Sequence, residues 1–218
     1  MSQKTLILKH LKKSDPMLGL LIKEIGKLDL TPNKRSPYEA LVRSIAHQQL
    51  TGRVAEVILG RFIALVPNKK FPEPADVLAL PIEKLRSVGF SMSKATSIQQ
   101  IAEFALAGKV PTRAQAKKMS SEELITQLTE IRGVGRWTVE MLLIFTLGRL
   151  DVFPVDDFGV KKGYCLHYKK RKLPTPKQFR IIAQKWQPYG SYAALYFWAC
   201  ADRKKNNSFL PVPDTTLT

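Results

Sequence analysis

The stretch "LTEIRGVGRWTVEML" constrains this chain more than any other. Apolar residues at helical spacing run up to Ile131, then come Gly133-Val134-Gly135, and a second helical pattern begins at about Arg136. So little chain separates the two patterns that the helices must fold back on one another through a tight turn. Glycine adopts backbone angles that other residues avoid, so two glycines around one small apolar residue permit such a turn while Val134 pins it to a core. The glycines also leave the amides at the start of the second helix unobstructed. Those amides and the helix dipole make a phosphate site. The plain alternative is an αα-turn that holds no ligand.

Helical periodicity dominates the rest of the chain. In "SPYEALVRSIAHQQL" one face carries Tyr38, Leu41, Val42, Ile45 and Gln49, and Pro37 behind Ser36 is a helix start. "KATSIQQIAEFALAG" repeats the pattern through Ile98, Ile101, Ala102 and Ala105 and stops at Gly108. Ser120 with Glu123 reads as a capping box, and "PKQFRIIAQKW" aligns Phe179, Ile182, Ala183 and Trp186. "MLLIFTL" and "YAALYFWAC" are apolar all round, as helices buried on every side are. No alternating strand pattern and no internal repeat is visible, and the Pro-containing stretches 66–81 and 173–176 read as loops. The expected fold class is all-α, with many short helices.

Charge narrows the function. The chain has 218 residues, of which 44% are hydrophobic, so a packed core is expected and global disorder is not. Lys and Arg number 35 against 18 Asp and Glu, a net charge of +17 that is not confined to a tail. A polyanionic partner explains that excess best, because neutralising phosphates releases condensed counterions. No apolar run of membrane-spanning length, lipidation signal or secretory leader is apparent. Cys165 and Cys200 form no CxxC pair, so neither a zinc site nor an iron–sulfur cluster is expected, and a reducing intracellular compartment is. "YKKRK" at 168–172 reads as a nuclear localisation patch or as a solvated, phosphate-facing turn.

The G-x-G turn, with Leu128 and Ile131 before it and Trp137-Thr138 after it, resembles the helix-hairpin-helix motif of sequence-independent duplex binding. Such contacts position a protein on DNA without reading bases. Asp157 follows Gly135 by 22 residues, within "FPVDDFG". The order of hairpin, Gly/Pro-rich loop and Asp resembles the helix-hairpin-helix (HhH-GPD) DNA glycosylases. "PYEALVRSIAHQQL", "GFSMSKATSIQQIA", "IRGVGRWTVEMLLIFTLGRLDVFPVDD" and "WQPYGSYAALYFW" are similar to their 3-methyladenine (alkylpurine) branch, yeast-type members especially, over roughly residues 36 to 200.

The resemblance implies two helical lobes around a DNA-binding cleft. Residues 1–35 are expected to contribute N-terminal helices to the C-terminal lobe, 36–125 to form the lobe with a wedge loop, and 126–218 to hold the hairpin, catalytic loop and C-terminal helices. The implied reaction is base excision repair. The N-glycosidic bond of a flipped, alkylated purine is hydrolysed, leaving an abasic site. Asp157 is implied as the catalytic group and Asp156 as a helix cap. Trp137, Phe158 and Trp198 are implied to line the base pocket, where an aromatic face favours a cationic base. Trp186 and Tyr38 stand at core spacing instead. Gly133, Val134, Gly135 and Arg136 are the implied DNA-binding hairpin. Its carbonyls at Ile131 and Val134 are a site for a monovalent cation, Na+ or K+, with no other cofactor expected. Gln49, Leu50 and Thr51 are candidates for the wedge that fills the gap of a flipped base, and Arg53, Lys161 and Lys162 for phosphate contacts. Trp137 stands where strand-cutting relatives carry a Schiff-base lysine, so no strand cleavage is expected. The expected partner is double-stranded DNA with an alkylated base or an abasic site, met by a monomer, in the nucleus of a eukaryote or the cytoplasm of a bacterium.

Three positions depart from the family pattern: His47 before the Gln pair, Gly159 two residues after the catalytic Asp, and Gly190 in "WQPYGSYAA". Glycine at 159 is expected to loosen the helix start by about 1 kcal/mol relative to alanine. A second reading therefore stands beside excision, namely a homologue that binds abasic or damaged DNA with little or no base release.

Overall fold

Short side chains start most of the helices. Ser2, Asp15, Ser36, Ser91, Thr112, Ser120, Asp157 and Thr175 each accept a hydrogen bond from the backbone amide three residues on. That bond satisfies one of the amides a helix start leaves without an intrahelical partner. The computed structural model describes residues 2–203 and holds thirteen α-helices, with no strand among the described residues. They are α1 (Gln3–Ser14), α2 (Pro16–Ile25), α3 (Pro37–His47), α4 (Gly52–Ala64), α5 (Pro74–Ala79), α6 (Ile82–Ser87), α7 (Met92–Leu106), α8 (Arg113–Ala116), α9 (Ser121–Leu128), α10 (Arg136–Phe145), α11 (Phe158–His167), α12 (Pro176–Ala183) and α13 (Gly190–Arg203).

Sequence expectations and structure differ at three places. The stretch 66–81 is not all loop, because Pro74 and the Glu73/Asp76 capping box start α5 inside it. The helix before the hairpin stops at Leu128, and Ile131 belongs to the turn. The pattern running to Trp186 ends as a single 3-10 turn, Gln184–Trp186, after α12.

The chain divides into two compact units, one taking in Met1–Asn33 and Gly148–Thr218, the other Lys34–Leu147. The boundary expected at 125/126 is therefore misplaced. The hairpin belongs with residues 34–147, because α10 packs against α3 and α9. That unit is centred on α3 and α7, with Phe62 edge-on to both Phe71 and Phe90.

In the other unit, α11 and α13 pack most extensively. A Cβ built at Gly163 would lie 1.8 Å from the Phe197 carbonyl oxygen, so only glycine lets the two backbones approach this closely. Around them Phe153, Tyr164, Phe179, Trp186 and Phe197 form one aromatic core. Trp186 is fully buried, in keeping with its core spacing. Its indole N–H bonds Asp15 Oδ2 at 2.8 Å, and Lys185 Nζ meets the same oxygen at 2.8 Å. Burial alone would raise the Asp15 pKa. Lys185, the Tyr168 hydroxyl, Trp186 and the Leu18 amide together hold it below the ordinary carboxylate value.

Candidate active site

The loop before Asp157 is fastened from behind. Ser191 Oγ donates to the carbonyl oxygens of Arg149 at 2.8 Å or Val152 at 2.9 Å, and the Ser191 amide donates to Leu150 O at 3.0 Å. Gln187 Nε2 adds a bond to Asp151 O at 3.0 Å, and Phe153 sits in the aromatic core. Gly190 has a packing reason here. A Cβ there would stand 3.0 Å from Phe153 Cβ and 3.3 Å from Val152 O, so the start of α13 lies against this loop without a side chain between them.

Asp157 is the N-cap of α11. Its Oδ1 accepts the Val160 amide at 2.7 Å and the Trp198 indole N–H at 2.8 Å, and the residue is only 9% exposed. The capping role expected of Asp156 therefore falls to Asp157, because α11 begins at Phe158 and the cap is the residue immediately before. Asp156 is exposed and pairs with Lys161 Nζ at 3.6 Å. Two N–H donors from different helices on one carboxylate oxygen fix both its position and its rotation.

Gly159 makes that geometry fit. A Cβ there would meet Trp198 Cδ1 at 2.9 Å and Asp157 Oδ1 at 3.2 Å. The expected loosening is thus answered by a close approach that only glycine permits. Trp198 itself is buried, 6% exposed, and its N–H faces the carboxylate. Phe158, one residue from the carboxylate, is 65% exposed. Lys161 is turned toward Asp156, and Lys162 is half-buried.

In the unit of residues 34–147, Gly133 (φ 80°) makes the turn and Gly135 caps α10 without a side-chain hydrogen bond. Ile131 and Val134 are buried beneath the turn, which is closed by Val134 N donating to Ile131 O at 3.0 Å. Gly133, Gly135 and Arg132 are exposed. Apart from its chain neighbours, no described atom lies within 4 Å of a Cβ built at Gly135, so the approach to these amides is open. Arg136 is held by two carboxylates, Glu122 Oε2 at 3.1 Å from Nη1 and the buried Glu140 Oε1 at 3.1 Å from Nε. Those partners raise the Arg136 pKa further, Glu122 foremost. Trp137, next on α10, is 43% exposed.

The loop between α3 and α4 carries the wedge candidates. Gln49 takes a left-handed backbone (φ 57°), Leu50 is 39% exposed and Thr51 is the N-cap of α4. His47 Nε2 lies 2.9 Å from Glu56 Oε1, and Arg53 is exposed. Two participants went unseen in the sequence. Gln48 Nε2 donates to Gly133 O at 3.0 Å, and Lys94 Nζ donates to Ala46 O at 2.9 Å and Gln48 O at 2.6 Å.

Comparison with known proteins identifies the family. The model of the HhH-GPD superfamily of base excision DNA repair proteins matches residues 42–188. This chain belongs to that superfamily. An HhH-GPD relative, DNA-3-methyladenine glycosylase 1 of Schizosaccharomyces pombe, is 40% identical over 193 residues, 87% of this chain and 84% of its own. The alkylbase DNA glycosidase-like protein mag2 of the same yeast is 36% identical over 192 residues, 87% of this chain and 90% of that one. The solved S. pombe 3-methyladenine DNA glycosylase, in complex with abasic DNA, superposes with a TM-score of 0.81 at 36% identity, covering 93% of this chain and 99% of that one. The HhH-GPD match takes in the hairpin and Asp157 together. No helix among the described residues is long and apolar enough to cross a membrane.

Proposed function

We propose that this chain is a DNA glycosylase of base excision repair that hydrolyses the N-glycosidic bond of N-alkylated purines such as 3-methyladenine. Duplex DNA is its partner, and an abasic site is its product. The observation that carries this reading is Asp157, a nearly buried carboxylate anchored by Val160 N and Trp198 Nε1 in a chain of net charge +17.

The chemistry follows from the charge that develops. As the bond to the base lengthens, its electron pair leaves with the base and the sugar takes on oxocarbenium character. A fixed carboxylate beside the sugar lowers that barrier without reorganising, and it orients the attacking water or takes its proton. An alkylated purine is already cationic, so it departs as a neutral base and needs little activation. The bond is hidden in a duplex until the nucleotide is extruded. Leu50 is the wedge in this reading, and Phe158, one residue from the carboxylate, is an exposed aromatic face for the base.

The hairpin supplies the grip. Gly133 and Gly135 are exposed, and a helix N-terminus favours phosphate. Because Arg136 is committed to Glu122 and Glu140, backbone amides are the phosphate donors proposed here. A monovalent cation at the hairpin carbonyls belongs to the same proposal. Ile131 O takes the Val134 amide, and a carbonyl oxygen carries two lone pairs, so that bond does not exclude an ion. The α10 sequence RWTVEMLLIF has no lysine, which supports base release without strand cleavage. A nuclear site of action is part of the proposal, and the exposed Lys169, Lys170, Arg171 and Lys172 suit such an address.

The rival reading, binding without excision, drew on His47, Gly159 and Gly190; the two glycines have packing reasons that favour a fixed carboxylate, and His47 pairs with Glu56. Alkylated duplex DNA under single-turnover conditions tests the two. Wild type is expected to release free methylated base, and Asp157→Asn to lose about 100-fold or more in rate. If wild type released no base while binding an abasic duplex tightly, the excision reading would fail.

A further inference from the structure

We infer that Lys94 and Gln48 are positioning residues that set the wedge loop against the DNA-binding hairpin, and that Lys94 is not a phosphate contact. The inference rests on the reading of 49–51 as wedge and 131–136 as hairpin.

In a basic chain that binds DNA, an unassigned lysine is by default a phosphate ligand. Lys94 is half-buried, and burial lowers its pKa. Its ammonium has three donors, and Ala46 O and Gln48 O at the end of α3 accept from it. A cation there also complements the negative end of the α3 dipole. Gln48, held by its carbonyl in this way, sends its side-chain amide to Gly133 O in the hairpin. The very next residue, Gln49, has φ 57°, a conformation that persists at a non-glycine residue only where its surroundings impose it. Leu50 is then presented to solvent.

The helix that carries Lys94, α7, itself reaches the hairpin at two points. Ser97 Oγ would lie 2.6 Å from a Cβ at Gly133, so Ser97 packs directly beneath the turn, and Gln100 Oε1 accepts the Arg132 amide at 2.6 Å. Lys94, Ser97 and Gln100 recur every three residues along α7, so one helix face aligns both segments. A shift of either segment misplaces the wedge relative to the backbone grip, which costs selectivity for a gapped site more than it costs non-specific binding.

The test measures affinity for an abasic duplex and for an undamaged duplex across a salt series, in wild type, Lys94→Met, Gln48→Met and the double variant, with melting temperature followed alongside. Each single variant is expected to reduce the abasic-over-undamaged preference about tenfold, the scale of a lost hydrogen bond to a charged or preorganised group. The double variant is expected to fall short of the product, because the two act as one linkage. The salt slope is expected to be unchanged. A slope shallower by about 0.9 in Lys94→Met would mark a phosphate contact and overturn the inference. Unchanged preference in both single variants would overturn it equally, and Gln48→Met decides alone if Lys94→Met does not fold. If wild type itself shows no preference for abasic DNA, the reading of 49–51 as wedge fails and this inference with it, whereas the excision reading stands or falls on base release.

Discussion

Gly159→Ala isolates the feature on which the proposed chemistry depends. The new methyl would sit 2.9 Å from Trp198 Cδ1 and 3.2 Å from Asp157 Oδ1. Ordinary van der Waals separation between carbons is about 3.5–4.0 Å, so the indole must retreat by roughly 0.6–1 Å and the carboxylate oxygen by about a few tenths of an ångström. Trp198 is buried in α13, and its 2.8 Å bond to Asp157 has no slack for such a displacement. Losing a hydrogen bond to a charged group costs about 1.5–3 kcal/mol, while alanine in place of glycine in a helix returns up to about 1 kcal/mol. The net loss of stability is about 1 kcal/mol, which in a chain of this size lowers Tm by about 2–4 °C. The rate should suffer far more, because a misplacement of about 1 Å can cost a hundredfold. Single-turnover release of methylated base, with a thermal melt of the same preparation, reads both quantities. Trp198→Phe removes the donor while keeping the ring and should lose a similar factor. In that background, Gly159→Ala should cost much less than it does alone. Wild-type excision by Gly159→Ala, or fully additive losses in the double variant, would refute the reasoning.

Further outcomes follow from other contacts. Gly163→Ala puts a methyl 1.8 Å from the Phe197 carbonyl oxygen, so α11 and α13 must separate. The expected loss is about 3 kcal/mol, seen as a Tm drop of roughly 6–12 °C, and a Tm within 2 °C of wild type would contradict the packing described. The Asp15 carboxyl is held below its ordinary pKa of 3.8 by its four donors, so its stabilisation is complete above that value and fades as pH falls through the folded one. Asp15→Asn should therefore melt lower at neutral pH and show a shallower acid decline below about pH 4. Equal acid slopes would show that this carboxyl contributes no linkage. Duplex binding should weaken steeply with salt, as expected for several neutralised phosphates, and a salt-independent affinity would remove the DNA reading altogether.

Much of this architecture was legible because its signals are local. Helix caps act across three residues, so Ser36, Ser91, Ser120 and Thr175 mark their helices within a few letters of sequence. The hairpin is equally local, since Gly133 must supply the positive φ and Val134 the anchor. The resemblance pointed to Asp157, but the adjacent Asp156 drew the capping role until the start of α11 was known. Glycine at 159 read as a weakness, whereas with a second glycine at 163, one helical turn on, it marks a close helix approach.

By itself the sequence determined the helices, the basic surface, the turn that offers its amides and the carboxylate in its loop. These follow from periodicity, capping and charge, which depend on near neighbours or on sums over the chain. The tertiary structure decided what holds those parts still. Trp198 reaches Asp157 from 41 residues away, Gln48 reaches the hairpin across 85, and Trp186 reaches Asp15 across 171. No local period encodes such pairs. They exist because burying the apolar faces of α11 and α13, and of α3 and α7, brings distant polar groups together where each must find a partner.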